Sequence, residues 1–318
     1  MKTYWQNLII FLFPVFLLLF AMEIMLRRIP NDYSFKNERL IRDGEAFRVL
    51  VLGSSHAYKG VDPDSLGPGG FNAANISQDL GYDRAMLEHY LPCLPKLKYV
   101  LLSVSYGSLG GQLASGKESW RVKNYAIHMG ISKDARKLAD HVELLNGTMQ
   151  DHIQNLNDYL IHHRDNRVCK YNGAGSNRLP VNKSLDLSGK EAAERHYHSI
   201  ASMEIGKSEI RTIAALAKEK GFRLLLFTTP AWSSYTSRLD SAQLRTTITY
   251  CEKLAASDPT VEYLDLLDDP RFLDPDFADA DHLSASGQAK LSFILGSWIR
   301  ELDADNSPVT WSVDTVMR

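Results

Sequence analysis

Three short, mostly apolar runs and one further strand-like segment constrain the fold of this chain more than any other feature. They are residues 48–53, 97–104, 222–227 and 261–265. Such runs, when they end in glycine or polar residues, are typical of strands buried on both faces of a sheet. Helical patterns separate and follow them, at 83–91, 189–220, 238–256 and 286–302. The alternation predicts an α/β domain with a parallel sheet.

Residues 8–26 are apolar except for Glu23. At about 1.5 Å per residue they span about 28 Å, close to the hydrocarbon thickness of a bilayer. A cleaved signal peptide is the alternative, but the run is long for one and lacks a clear small-x-small cleavage site. We expect an uncleaved anchor, in which Glu23 and Arg27 can pair near the membrane edge. Lys2 opposes Arg27 and Arg28 across the span, so charge does not fix the orientation.

Composition excludes several classes of protein. The net charge of -2 gives no basic surface for nucleic acid. The three cysteines form no CxxC pair, so neither a zinc site nor a disulfide framework is predicted, although one disulfide of open pairing could form between Cys93, Cys169 and Cys251. The glycine pattern after the first strand matches no nucleotide-binding motif. We therefore expect no metal and no cofactor.

The sequence divides into four predicted segments: an anchor at 1–28, a polar connector at 29–46, an α/β domain at 47–303 and a polar tail at 304–318. Inside the domain the pattern weakens between about 110 and 190, which predicts an insertion with a helix at 133–145. The insertion is either a lid or substrate platform, or an inert surface elaboration.

Two polar segments follow predicted strands. Residues 53–56 (Gly-Ser-Ser-His) end the first strand, and 279–283 (Asp-Ala-Asp-His-Leu) follow the last. Because ligands bind beyond the carboxyl ends of parallel strands, both segments fall on one edge of the sheet. There Ser55 could act as nucleophile and His282 as its base, with Asp279 fixing the tautomer of the histidine.

Each segment alone permits a simpler interpretation. Gly-Ser-Ser is a common turn, and the later segment could be a helix start capped by Ser284 or a stray metal site. We expect Asp281 to cap its turn or to face solvent. We expect His56 to be a hydrogen-bonded structural histidine, and His196 and His198 to be solvated.

Together the two segments resemble the first and last motif blocks of the SGNH (GDSL-like) hydrolases. The resemblance covers residues 48–105 and 222–300 but not 110–190. It implies a three-layer α/β/α flavodoxin-like parallel sheet and a Ser-His-Asp triad of Ser55, His282 and Asp279. Ser54 stands where the family usually has aspartate, which leaves the nucleophile unchanged.

The resemblance also implies an oxyanion hole, and here the chain departs from the family. A glycine is expected in the second block, where Ser77 and Gln78 stand, and an asparagine is missing from 105–108. The candidate donors are therefore Ser55, Ser77, Gln78 and Asn75, with Ser108 as a further substitute. Otherwise the protein is a slow or specialised acyl-transfer enzyme, or a non-catalytic relative.

An anchor joined to such a domain resembles the membrane-anchored SGNH-like proteins that assist O-acylation of cell-envelope or exported polysaccharides. This implies an extracytoplasmic domain tethered by residues 8–26, an acylated glycan or small ester as substrate, and a multi-spanning membrane acyltransferase as partner. The competing interpretation is a catalytically degenerate binding or scaffold protein on the same fold.

Overall fold

The computed structural model describes residues 2–176 and 184–305. Its described residues form two compact units, which we treat separately. The first, the anchor unit, consists of residues 1–39 and 117–168. The second, the sheet unit, consists of residues 40–116 and 169–318. The predicted segment boundaries stay a prediction.

The sheet unit contains a parallel sheet of five strands in the order β2-β1-β3-β4-β5, an order that doubly wound sheets commonly have. The strands are β1 Val49–Leu52, β2 Gly70–Asn72, β3 Tyr99–Ser103, β4 Arg223–Thr228 and β5 Val261–Asp265. Each of the four predicted runs contains one strand. A separate antiparallel pair, β6 Phe277–Asp279 and β7 His282–Leu283, follows the sheet.

Helices flank this sheet, and they are α3 Ser55–Gly60, α4 Leu80–Tyr90, α7 Leu185–Arg195, α8 Met203–Lys220, α9 Ser233–Thr236, α10 Ser241–Ser257 and α11 Ala285–Asp305. Every residue of β1 and β3 is buried, because helices cover the sheet. The largest fully buried side chain is Trp298 of α11. Burial of one such apolar side chain contributes about 1.5–3 kcal/mol.

The anchor unit contains α1 Lys2–Arg27, α5 Val122–Met129, α6 Met149–Leu160 and most of α2 Asp32–Arg42. An 18-residue window within residues 4–27 has a mean hydropathy of 2.7 and contains no buried residue, so α1 is long and apolar enough to cross a membrane. The connector predicted at 29–46 includes α2 and a short 3-10 helix, Gly44–Ala46.

The helix predicted at 133–145 is wrong, because two 3-10 helices stand there, Leu138–His141 and Glu143–Leu145. The Asn146 side chain donates to the carbonyls of Ala139 and Val142, which competes with regular helical bonding. The three cysteines are free thiols. Of the predicted tail, residues 306–318 lie outside the described part, as do 177–183 of the predicted insertion.

Candidate active site

Ser55 lies at the turn from β1 into α3. Gly53 has φ +126°, and a Cβ there would come within 2.9 Å of the Ser103 Cβ. Glycine is therefore required for both backbone shape and space. The Gly53 N–H donates to Asp83 Oδ1 at 2.7 Å, and this buried hydrogen bond holds the turn in place. Ser54 is the N-cap residue, so Ser55 is the first residue of the helix.

The β6–β7 hairpin carries the second half of the site. Its turn is fixed on both sides: the Ala280 N–H donates to Ser188 Oγ at 3.0 Å, and the Trp232 N–H donates to the Ala280 carbonyl at 2.8 Å. After the hairpin, Ser284 caps α11, since its Oγ accepts the Gly287 N–H at 3.4 Å. The hairpin is thereby positioned by elements before and after it.

The structure brings Ser55, His282 and Asp279 together. Ser55 Oγ lies 2.8 Å from His282 Nε2. His282 Nδ1 lies 2.9 Å from Asp279 Oδ1 and 3.1 Å from Oδ2. A proton on Nδ1 that is donated to Asp279 leaves Nε2 to accept from the serine hydroxyl. This is the arrangement of a nucleophile, its general base and an orienting carboxylate.

The prediction that Asp281 caps its turn or faces solvent is wrong. Asp279 takes the capping role, because its Oδ1 accepts the Asp281 N–H at 3.1 Å. The Asp281 side chain is only 3% exposed. Its carboxylate lies 3.4 Å from His282 Nδ1, 3.7 Å from His56 Nε2 and 3.5 Å from an Arg195 nitrogen. Two carboxylates, those of Asp279 and Asp281, therefore approach the same ring nitrogen of His282, Nδ1.

Three further histidines were singled out from the sequence. His56 is buried, as expected of a structural histidine; its Nδ1 lies 3.4 Å from Ser54 Oγ. His196 and His198 are only partly exposed rather than fully solvated as predicted. The end of α7 packs against α9, where His196 Nδ1 bonds the Tyr235 hydroxyl at 3.0 Å. Burial lowers the pKa of both, for His196 to about 3.

The charges of the site are coupled. Burial alone would lower the pKa of His282, but Asp281 and Asp279 raise it to about 9. Burial would raise the pKa of Asp281, but His282 and His56 hold it well below its usual range. At neutral pH the site without substrate therefore favours a protonated His282 beside the ionised carboxylates of Asp279 and Asp281.

Among the described residues, one group has atoms close enough to share a metal ion. His56, Asp281 and His282 offer ligand atoms within 4.8 Å of one another. However, both ring nitrogens of His282 already have partners, Ser55 and Asp279. A metal bound by all three residues would have to break one of those two bonds.

Of the four candidate oxyanion donors, two have side chains that are already engaged in other hydrogen bonds. The side chains of Asn75 and Gln78 are buried and already engaged: Asn75 Nδ2 donates to Gln78 Oε1 at 2.8 Å, and Gln78 Nε2 donates to Asp83 Oδ1 at 2.6 Å. Ser77 has φ +58°, a backbone shape that favours glycine. The Ser55 N–H, in the first helical turn, has no intrahelical acceptor. All four assignments stay predictions.

Sequence reasoning missed two supporting residues, Asn72 and Asp83. Asn72 is fully buried, and its Nδ2 donates to the carbonyls of Ala57 and Val61 at 2.9 and 2.8 Å. It thereby holds the C-terminal end of α3, the helix that carries the serine. The available signal was a polar residue inside an apolar stretch, because such a residue must find buried partners.

Comparison with known proteins gives only distant likenesses. No family model matches the chain, and no curated protein matches it. A solved structure from Bacteroides fragilis, provisionally designated an acylhydrolase, is 12% identical, covers 85% of this chain and 94% of its own, and has a TM-score of 0.40. One from Streptococcus pneumoniae, provisionally designated a platelet activating factor, is 13% identical, covers 84% and 91%, and also scores 0.40. The assignment of the site rests on its geometry instead.

Proposed function

We propose that this protein is a membrane-anchored serine esterase or O-acyltransferase of the SGNH type, with a flavodoxin-like sheet, that acts on acyl esters of cell-envelope or exported glycans. The observation that carries the proposal is the 2.8 Å contact of Ser55 Oγ with His282 Nε2, with Asp279 on the opposite ring nitrogen. Two segments far apart in sequence meet at that contact, both at the carboxyl edge of the sheet.

The reaction follows from this geometry. Ser55 Oγ attacks the acyl carbonyl carbon while its proton passes to His282 Nε2, and Asp279 stabilises the imidazolium. The Ser55 N–H faces the developing oxyanion. The alcohol then leaves with the proton from His282, which gives an acyl ester on Ser55. Water or a glycan hydroxyl attacks this ester and loses its proton to His282, which returns it to Ser55 Oγ as the bond between the acyl carbon and Oγ breaks.

The membrane and glycan parts of the proposal depend on α1 and on the family resemblance. An exposed apolar helix of this length supports a tether, and the anchored relatives act on envelope glycans beside a multi-spanning acyltransferase. We therefore place the domain on the extracytoplasmic side. A tether of this kind raises the local concentration of the domain near a membrane-embedded acyl donor.

The second candidate is a non-catalytic scaffold protein on the same fold. It is favoured by the structure of the expected oxyanion region, where the side chains of Asn75 and Gln78 already form buried hydrogen bonds with each other and with Asp83. In addition, Ser105 and Ser108 bond each other, with their Oγ atoms 3.0 Å apart. Loss of one oxyanion donor can cost on the order of 10²–10³ in rate.

Fluorophosphonate labelling of the full-length protein in detergent separates the two candidates. The wild type should be labelled, and Ser55→Ala should lose labelling while it keeps its fold by circular dichroism. Ser54→Ala is the matched control, because its hydroxyl is one residue away and lies beside His56 rather than His282. Labelling that survives in Ser55→Ala would overturn Ser55 as the nucleophile, whereas an unlabelled wild type that is correctly folded would favour the scaffold.

A further inference from the structure

Helix α6 of the anchor unit has an apolar stripe of four residues, of which one is buried and three are about half exposed. A capping box of Thr148 and Asp151 fixes its start. Met149, Ile153, Leu156 and Leu160 follow at helical spacing, so they lie along one face. Leu156 is buried against Leu26 and Ile29, at the end of α1. The other three are about half exposed, at 48%, 56% and 49%.

The same end of α1 holds the segment before α6. Glu23 accepts the N–H groups of Glu143 and Leu144, both at 3.0 Å, and also pairs with Arg27 at 2.6 Å. This explains an acidic residue in an otherwise apolar helix, since its carboxylate satisfies the start of a 3-10 helix. On either side of that contact, Leu138 and Leu145 are largely exposed.

We propose that Leu138, Leu145, Met149, Ile153, Leu160 and Ile161 form a membrane face, which lies at the boundary between headgroups and acyl chains of the bilayer that α1 enters. This rests on the anchoring role of α1 proposed above. Elements packed on residues 22–29 must sit at the membrane edge, because those residues form the last turns of the apolar helix and the residues just after it. Exposed apolar side chains at that depth gain by leaving water.

The distribution of polar groups fits a lipid surface. The loop before Leu138 carries three exposed basic residues, Lys133, Arg136 and Lys137. Basic side chains at this level face anionic headgroups. The adjoining side of α6 is polar, with Gln150, Gln154 and Asn157 exposed. An apolar stripe, a polar side and flanking positive charge are the features of a helix that lies in the interface plane.

Nitroxide labelling of the full-length protein in nanodiscs that contain phosphatidylglycerol tests the proposal. Nitroxides on cysteines introduced one at a time at Ile153 and Leu160, in a background in which the three native cysteines are replaced by serine, should collide more with lipid-soluble oxygen than with a water-soluble nickel complex. Gln154→Cys, on the polar side of the same helix, is the matched control and should show the reverse. Met149→Cys replaces any variant that fails to fold.

A label at Phe16→Cys, on the exposed surface of α1, tests the anchor separately from the membrane face. Lipid exposure at residue 16 combined with a water-exposed signal at 153 and 160 would overturn the membrane face and leave the anchor standing. Shielding of 153 and 160 from both reagents would also overturn it, in favour of a protein contact. A water-exposed label at residue 16 would overturn the anchor and the membrane face together. None of these readings depends on Ser55.

Discussion

At the residue scale, the carboxylates of Asp279 and Asp281 beside His282 determine how activity should respond to pH. The base must be neutral to accept the serine proton, and its pKa is raised to about 9. We expect kcat/KM for a small activated ester to rise from neutral pH through about pH 9. Measurement of the pH–rate profile checks this, and Asp281→Asn should move the midpoint to lower pH, because it removes one carboxylate that favours the imidazolium.

Asp279→Asn is the comparison variant for that profile. It should lose rate on the order of 10⁴-fold at every pH, since an amide in this position favours the wrong tautomer. An unmoved midpoint in Asp281→Asn would show that Asp281 does not tune the base.

The same raised pKa of His282 has a consequence for stability. The ion pair of the His282 imidazolium with Asp281 and Asp279 stabilises the fold fully below about pH 6.5, and this contribution is lost as pH rises through about 9.

The sequence predicted that Ser55, Asp279 and His282 lie close together, but it did not predict the surroundings of Asp281. The motif spacing and the strand ends place Ser55, Asp279 and His282 on one edge. The direction of Asp281, however, depends on the register of β6 with β7 and on the end of α7. That register involves a β-bulge or irregularity between Phe277 and Asp279, which no local pattern specifies.

At the element scale, the turn between β1 and α3 depends on one glycine. Gly53→Ala should destabilise the protein by about 1–3 kcal/mol, because the residue has φ +126° and its new Cβ would press on Ser103. Chemical unfolding measures the loss. Gly67→Ala is the matched control, since Gly67 has φ +109° but no atom within 4 Å of an added Cβ. Equal losses in the two variants would show that crowding at Ser103 does not matter.

The elements themselves differ in how far sequence determines them. The strands β1 and β3 are predictable because every residue in them is buried, so their sequences are continuous and mostly apolar. The segment 133–145 was predicted as a helix from its own pattern, but besides the local bonds of Asn146 it has a bonding partner that is distant in sequence. Glu23, which binds the N–H groups of Glu143 and Leu144, is separated from them by more than a hundred residues. No window around 133–145 contains that information.

At the scale of the whole molecule, the end of α1 belongs to the core of the anchor unit. A protein that starts at residue 21 keeps Met22, Glu23 and Leu26, whereas one that starts at residue 29 loses them. We expect the longer fragment to unfold at a higher temperature, because the shorter one exposes Leu156 and leaves two N–H groups without their acceptor. Calorimetry and binding of a hydrophobic dye compare the two fragments. Identical melting would mean that the contacts of α1 with α6 are dispensable.

The anchor unit is assembled from two stretches of chain, residues 1–39 and 117–168, and this has a consequence for biosynthesis. At a synthesis rate of about 5–20 residues per second, the second stretch follows the first by roughly ten seconds. During that interval α1 has emerged, but the backbone groups that Glu23 later binds do not yet exist. Arg27 is already present four residues away and can neutralise the carboxylate. With the anchoring role proposed for α1, the ion pair would allow the apolar helix to enter a bilayer with Glu23 neutralised before the segment that Glu23 binds has been synthesised.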